Sequence, residues 1–290
     1  MILINGKSPK ITLFPDGTKL IRSEMIAKID TAIITWKYDS DEELFQLQCI
    51  VDALRSRGCK SLELIMPYIP NARMDRIKSE DEVFTLKTFA NIINNMNFET
   101  VTVLDAHSYV SEALLNNVIV QTPKNFIFSA MADISVDKRD IVLFFPDEGA
   151  MKRYSPIANE LNVPYVFGMK KRDWRTGQIL GLDILGQTEL LPGKSVLIVD
   201  DICSKGGTFF HSAKALKQFN VKDIYLYVSH CENTMREGDM IKSGLIKHIY
   251  TTDSIYREVG IWQYKDKNTT DALPVIKTIK ESDVLTIFSY

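Results

Sequence analysis

The residues with the most chemical potential in this 290-residue chain lie in Lys194–Thr208, KSVLIVDDICSKGGT. An apolar run suited to a buried strand ends in two carboxylates, Asp200 and Asp201. A small-residue loop follows (Cys203, Ser204, Lys205, Gly206, Gly207, Thr208) and opens a helix. Consecutive backbone N–H groups at such a start make an anion nest, and glycine lets the backbone approach an oxyanion closely. Lys205 adds positive charge, and Ser204 and Thr208 add hydroxyl donors. Two carboxylates repel phosphate, so Asp200 and Asp201 suit sugar hydroxyls, directly or through Mg²⁺. The bland alternative is a strand–turn–helix junction with solvated acids. The loop lacks the G-x-x-x-x-G-K-[ST] spacing of a Walker nucleotide loop. A second stretch, KKRDWR (Lys170–Arg175), packs four cations into six positions. Such a run is by default a solvated face. Its place after the apolar VPYVFG puts it at a strand's carboxyl end, where α/β sheets bind ligands.

The elements around these residues alternate. Lys28–Trp36 reads as a strand. Asp41–Arg57 carries Leu44, Leu47, Ile50, Val51 and Leu54 at helical spacing, and Gly58 is a C-cap candidate. Ser61–Met66 and Thr100–Leu104 read as strands around a helix at Phe84–Asn95. The rhythm returns with strands at Ile141–Phe145, Val163–Phe167, Ser195–Val199 and Ile224–Val228, and helices at Ala150–Leu161 and Thr208–Phe219. The unalternating runs IVLFF and VLIVD predict buried parallel sheets with helices on both faces. Two α/β lobes are expected, 1–124 and 125–290, with a seam at about 120–135 and a polar loop at Lys265–Thr270.

Composition narrows the class. A hydrophobic fraction of 45% and a charged fraction of 25% are ordinary for a globular protein. The net charge of −2 is no polycation, so nucleic acid is not an expected partner. Cys49, Cys59, Cys203 and Cys231 form no CxxC pair, which fits reduced thiols in a cytoplasm. MILINGKSPK has no signal-peptide core, and no apolar run of about 18 residues is present to span a membrane.

VLIVDDICSKGGT resembles the phosphoribosyl-diphosphate motif shared by type I phosphoribosyltransferases and ribose-phosphate diphosphokinases. Other segments resemble the diphosphokinases. MPYIPNARMDR (Met66–Arg76) is similar to I-P-Y-x-x-Y-A-R-Q-D-R, VLDAHS (Val103–Ser108) to V-D-L-H-A, and FPDEGAMKR (Phe145–Arg153) to S-P-D-x-G-G-x-x-R. MKKR (Met169–Arg172) is similar to D-K-R-R, FPDG (Phe14–Gly17) to F-x-D-G-E, and YTTDSI (Tyr250–Ile255) to V-T-D-T-I. These lie in family order across residues 13–255. The resemblance implies two phosphoribosyltransferase-like lobes, each a mainly parallel sheet flanked by helices, with a first ATP-side lobe and a second ribose-phosphate lobe. The last strand has the option of returning to the first lobe.

The family's activity is transfer of the β,γ-diphosphate of ATP to the anomeric hydroxyl of ribose 5-phosphate, feeding nucleotide biosynthesis. On the matching positions, Lys170 and Arg172 are catalytic cations on a mobile loop, with Lys171 as substitute if the register slips. Phe14, Asp16, Arg73, Met74 and His107 serve ATP, and Phe14 and Asp16 reach across a subunit interface in a homo-oligomer. His107 and Asp147 are Mg²⁺-linked, with Asp105 in support. Asp200 and Asp201 take the ribose hydroxyls, and Ser204, Lys205, Gly206, Gly207 and Thr208 the 5-phosphate. Phe14 is equally a core or turn aromatic, and Arg153 is a phosphate contact or a helix-surface charge.

The chain departs from the family pattern at several points. The family's D-T-A-G-T or D-T-G-G-T is Ser204-Lys205-Gly206-Gly207-Thr208 here, an acid lost and a cation gained. This raises ADP-ribose as an alternative acceptor. Met74 replaces a glutamine, Thr18 a glutamate and Ala150 a glycine, and the glutamines after the family's histidine are absent. Short ends put allosteric control and a standard hexamer in question. A phosphoribosyltransferase, a catalytically dead regulatory homologue and a generic nucleotide-binding α/β protein are the competing readings. Release of AMP from ATP separates the first of these from a diphosphokinase.

Overall fold

Strands that bury both faces and strands that bury one set apart the two compact units of the chain, Met1–Thr122 and Pro123–Tyr290. The computed structural model describes residues 1–27, 29–135, 137–172, 179–257 and 275–279, with the backbone alone for 170–172, 179, 180 and 275.

The first unit runs β1 (Ile2–Ile4), β2 (Lys10–Leu13), β3 (Lys19–Arg22), β4 (Thr31–Trp36), α1 (Glu42–Ser56), β5 (Ser61–Ile65), α2 (Thr85–Asn95), β6 (Thr100–Leu104), α3 (Tyr109–Leu114) and β7 (Val118–Gln121). Its sheet has the order β1-β4-β5-β6-β7, with β1 antiparallel and the rest parallel. Burial alternates along these strands. Ile34, Leu62, Leu64, Val101 and Val103 share one core with Leu47, Ile50 and Leu54 of α1 and Phe89 and Ile93 of α2, while Ile33 is exposed. The hairpin β2–β3, unforeseen in the sequence, stands apart as a two-stranded antiparallel sheet.

The second unit runs α4 (Lys124–Ile134), β8 (Ile141–Phe145), α5 (Glu148–Leu161), β9 (Tyr165–Arg172), β10 (Ile179–Gly186), β11 (Ser195–Cys203), α6 (Gly207–Lys217), β12 (Ile224–Cys231), α7 (Asp239–Lys242), β13 (His248–Thr252) and β14 (Val275–Ile279). The sheet order is β10-β9-β8-β11-β12-β13-β14. The strands are parallel except β10, which pairs antiparallel with β9. Every residue of β8 and β12 is buried, as in a sheet covered on both faces; β8 is an unbroken apolar run, and β12 buries Ser229 and His230 as well. The α/β class with parallel-dominated sheets is therefore as expected.

Three differences matter for chemistry. β11 does not stop at Val199. It continues through both acids to Cys203 because β12 is long enough to pair it that far. β9 does not stop at Phe167. Its backbone runs through Lys170–Arg172, paired with Leu182 and Ile179 of β10, so these positions lie on a hairpin arm and not in a loop. The last described strand, β14, pairs in parallel with β13 and extends the second sheet, and the residues after Ile279 lie outside the described residues. The loop expected at Lys265–Thr270 and the cations beyond Arg172 lie outside the described residues.

Candidate active site

The second unit holds the acid pair. β8 pairs with β11 only as far as Phe144 opposite Ile198, so beyond that point β11 has β12 alone as a neighbour. Asp200 and Asp201 thus sit inside a strand but at the open carboxyl edge of the sheet. Asp201 is buried, and its Oδ2 lies 3.1 Å from Nη1 of Arg153, which α5 supplies. Arg153, expected as a phosphate contact or a surface charge, is instead the counter-ion of this acid. Asp200 accepts the Asp201 backbone N–H at 2.9 Å. Burial, reinforced by the charge of Asp201 and then of Asp147, pushes the Asp200 carboxyl well above the usual carboxylate range.

Asp147 caps α5. Its Oδ1 accepts the backbone N–H of Ala150 at 3.0 Å, which satisfies one of the donors that open a helix. It borders an open pocket of about 360 Å³ lined by Asp147, Glu148, Met151, Phe167, Gly168 and Met169. The side chains of Lys170 and Arg172, which follow Met169 on β9, lie outside the described residues.

The loop after β11 is placed by its neighbours. Gly206 sits at φ 74°, a left-handed conformation that favours glycine, and opens α6 with no side-chain cap. The N–H groups of Gly207 and Thr208 belong to the first turn of that helix. The two polar side chains ahead of them are engaged elsewhere. Ser204 Oγ donates to Glu232 Oε2 at 2.7 Å, and Lys205 Nζ lies 3.5 Å from Glu237 Oε2. Both acids follow β12. The strand expected at Ile224–Val228 stops short of both acids, whereas β12 runs on to Cys231. An acid directly after YVSHC, at the tip of the strand beside the acid pair, is the signal that would have found Glu232.

In the first unit, Arg73 and Met74 lie between β5 and α2, Arg73 exposed and Met74 half-buried. The adjacent Asp75 is nearly buried and organises this loop. Arg76 donates through Nε to Asp75 Oδ1 at 2.9 Å and through Nη2 to Oδ2 at 3.4 Å. Arg76 first, and then the charge of His107, holds the Asp75 carboxyl below its ordinary value. The MPYIPNARMDR segment and the Val103–Ser108 segment therefore meet at Asp75. His107 is half-buried and follows Asp105, a buried residue at φ 46° whose N–H donates to Gln121 O at 2.9 Å. A non-glycine residue in that region is strained and persists where surrounding contacts hold it. Asp105 thus shapes the turn that presents His107.

Phe14 and Asp16 occupy the tip of the β2–β3 hairpin. Phe14 is 48% exposed, which removes the core alternative and leaves a turn residue facing solvent in this chain. Asp16 Oδ1 accepts both the N–H (2.9 Å) and the hydroxyl (2.7 Å) of Thr18.

Among the described residues, no group of three or more His, Cys, Asp and Glu side chains is arranged to hold a metal by itself. The donor set nevertheless fits Mg²⁺ bound with a substrate. Asp147, Asp200 and Asp201 supply hard oxygens at this edge, and the charges of Asp201 and Asp147 add to burial in raising the Asp200 carboxyl. Mg²⁺ commonly takes one or two carboxylates and completes its shell with phosphates and water.

A family model described as the N-terminal domain of ribose phosphate pyrophosphokinase matches residues 4–96, and one described as a phosphoribosyl transferase domain matches residues 125–265. The ribose-phosphate pyrophosphokinase of Bacillus subtilis is 28% identical over 285 residues, 96% of this chain and 88% of its own length. That of Saccharolobus solfataricus is 28% identical over 221 residues, covering 75% and 74%. The crystal structure of phosphoribosylpyrophosphate synthetase from Mycobacterium smegmatis superposes with a TM-score of 0.74 at 18% identity, covering 97% of this chain and 88% of that one, which places the fold.

Proposed function

This chain belongs to the ribose-phosphate pyrophosphokinase family, and on that premise we propose that it makes phosphoribosyl diphosphate and AMP from ATP and ribose 5-phosphate. The anomeric oxygen bonds to the β-phosphorus, the bond from that phosphorus to the α,β-bridging oxygen breaks, AMP leaves with that oxygen, and the hydroxyl proton is released. Such transfers depend on in-line positioning and charge neutralisation more than on covalent chemistry.

The observation that carries the reading is the carboxyl edge of the second sheet, where Asp200 and Asp201 lie one loop away from the bare amino end of α6. Asp200 and Asp201 suit the ribose hydroxyls, with Arg153 holding Asp201 in place. Gly206, Gly207 and Thr208 suit the 5-phosphate through backbone N–H groups and the Thr208 hydroxyl. In the first unit, Arg73, Met74 and His107 serve ATP, and Phe14 and Asp16 serve it from an exposed hairpin suited to reach a neighbouring subunit of a homo-oligomer. Asp147 and His107, each on its own unit, are the proposed Mg²⁺ ligands. The metal when bound neutralises charge on the phosphate oxygens. Lys170 and Arg172 are the proposed cations for charge developing on the transferred diphosphate. A cytoplasmic location accords with substrates of this kind.

Ribose 5-phosphate is favoured over ADP-ribose as the acceptor. ADP-ribose would suit a loop with added positive charge, but here Lys205 faces Glu237 and Ser204 is held by Glu232. The match to the pyrophosphokinase amino-terminal domain over residues 4–96 likewise favours making the diphosphate over consuming it.

The test is product identification with ATP, Mg²⁺ and ribose 5-phosphate, run beside ADP-ribose. AMP and phosphoribosyl diphosphate in equal amounts are expected. ADP as the nucleotide product, or no AMP, overturns the reading. Lys170→Ala is expected to lower kcat by about 10²–10³-fold, and unchanged turnover would remove Lys170 from the reaction.

A further inference from the structure

We propose that Glu232 is the positioning residue of the phosphate loop, holding the Ser204 hydroxyl so that Ser204 shapes the loop instead of donating to the acceptor's phosphate. The inference rests on the reading of 204–208 as the 5-phosphate loop and deepens it.

Topology makes the pairing unavoidable. β11 and β12 run in register to Cys203 opposite Cys231, so residues 204 and 232 leave the sheet side by side. Glu232 N–H donates to Cys203 O at 2.8 Å, which fixes its backbone against the loop. Its Oε2 then accepts Ser204 Oγ at 2.7 Å and Thr234 Oγ1 at 3.2 Å. A serine hydroxyl carries one proton, and here that proton is committed to a carboxylate, the stronger kind of acceptor. The backbone N–H groups of Gly206, Gly207 and Thr208 and the Thr208 hydroxyl are then the donors proposed for the anion.

The segment after Glu232 braces the same loop. A short 3₁₀ turn, Asn233–Glu237, leads to Gly238, where an added Cβ would stand 1.8 Å from the Lys205 carbonyl oxygen. On the other side of that carbonyl, Gly206 lies against Met240, whose Sδ would be 2.7 Å from a Cβ there. The loop is thus clamped between Glu232 and α7. In the D-T-A-G-T pattern that this loop resembles, an acid stands where this chain has Ser204. Here the carboxylate reaches the same place from the neighbouring strand.

The experiment measures ribose 5-phosphate affinity by calorimetry, with ATP affinity as the control, in Glu232→Ala, Glu232→Gln, Ser204→Ala and the double alanine variant. Each single alanine variant is expected to weaken ribose 5-phosphate binding by about ten-fold, the scale of one charge-assisted hydrogen bond, with ATP affinity unchanged. The double variant is expected to be no weaker than either single one, because both remove the same contact. Glu232→Gln keeps an acceptor oxygen and recovers most of the loss. Ser204→Asp alone sets two carboxylates against each other and weakens binding, and adding Glu232→Ala restores it. Losses that multiply in the double variant, or Glu232→Ala binding like the wild type, overturn the proposal. A wild type that shows these couplings but releases no AMP from ATP fails only the proposed reaction. One that binds no ribose 5-phosphate overturns both.

Discussion

At the scale of single residues, two side chains in the second unit carry structural work together with proposed chemistry, and the two can be separated. Asp147 caps α5 through Ala150 N–H and is a proposed Mg²⁺ ligand. Serine caps about as well as aspartate but brings no charge. Asp147→Ser should therefore keep the melting temperature and lose turnover, whereas Asp147→Ala should lose turnover and about 1 kcal/mol of stability, typical of a lost cap. Equal activity in Asp147→Ser and wild type would leave the residue a cap alone. Arg153 is the guanidinium beside the buried Asp201. Arg153→Met leaves that carboxylate without its cation, and breaking one side of a buried pair costs about 3–5 kcal/mol. Urea unfolding should show a loss of that order, and a loss within 0.5 kcal/mol, the usual range for surface substitutions, would mean solvent screens the pair.

At the scale of elements, the loop ahead of α6 takes its shape from the segment after β12. Gly238→Ala puts a methyl group into the Lys205 carbonyl, so that segment must lift off the loop. The expected outcome is a raised KM for ribose 5-phosphate with the KM for ATP preserved, and an unmoved acceptor KM would show the two segments to be independent. β14 is fastened differently, by a polar tie. Asp133 on α4 accepts Tyr250 OH at 2.6 Å and Lys277 Nζ at 2.5 Å. Lys277 first, then Tyr250, holds the Asp133 carboxyl below its ordinary 3.8. A folded value lowered in this way stabilises the protein at pH above about 4, and the contribution fades as pH falls through the folded value. Asp133→Asn should lower the melting temperature at pH 7, with the gap to wild type closing below pH 4. A gap independent of pH would assign the effect to packing.

At the scale of the whole molecule, the proposed Mg²⁺ is assigned to the reaction and not to the fold. Among the described residues no metal cluster is preformed, and no helix is long and apolar enough to cross a membrane. Chelation with EDTA should therefore leave the melting temperature of the ligand-free protein unchanged while abolishing turnover, and a large drop on chelation would reveal a structural metal. Much of the architecture was legible in the chain. The runs IVLFF and VLIVD announce strands buried on both faces, Thr100–Leu104 and Ile141–Phe145 keep their boundaries, and the six motif segments point to one family. What escaped was whatever a distant partner supplies. Asp200 and Asp201 read as the end of a strand because charge disfavours burial, yet β12 and Arg153 carry β11 through them. The loop reading of Lys170 and Arg172 comes with the family resemblance, whereas their pairing with β10 exists only in the fold. Lys205 read as a free cation, although Glu237 lies 32 residues on in the sequence and 3.5 Å away in space. Periodicity and the residue types of the motifs are legible along the chain because they depend on near neighbours in it. The tertiary structure alone decided which charges are balanced and which donors are spent, because electrostatics and hydrogen bonds act through space between strands that meet only on folding.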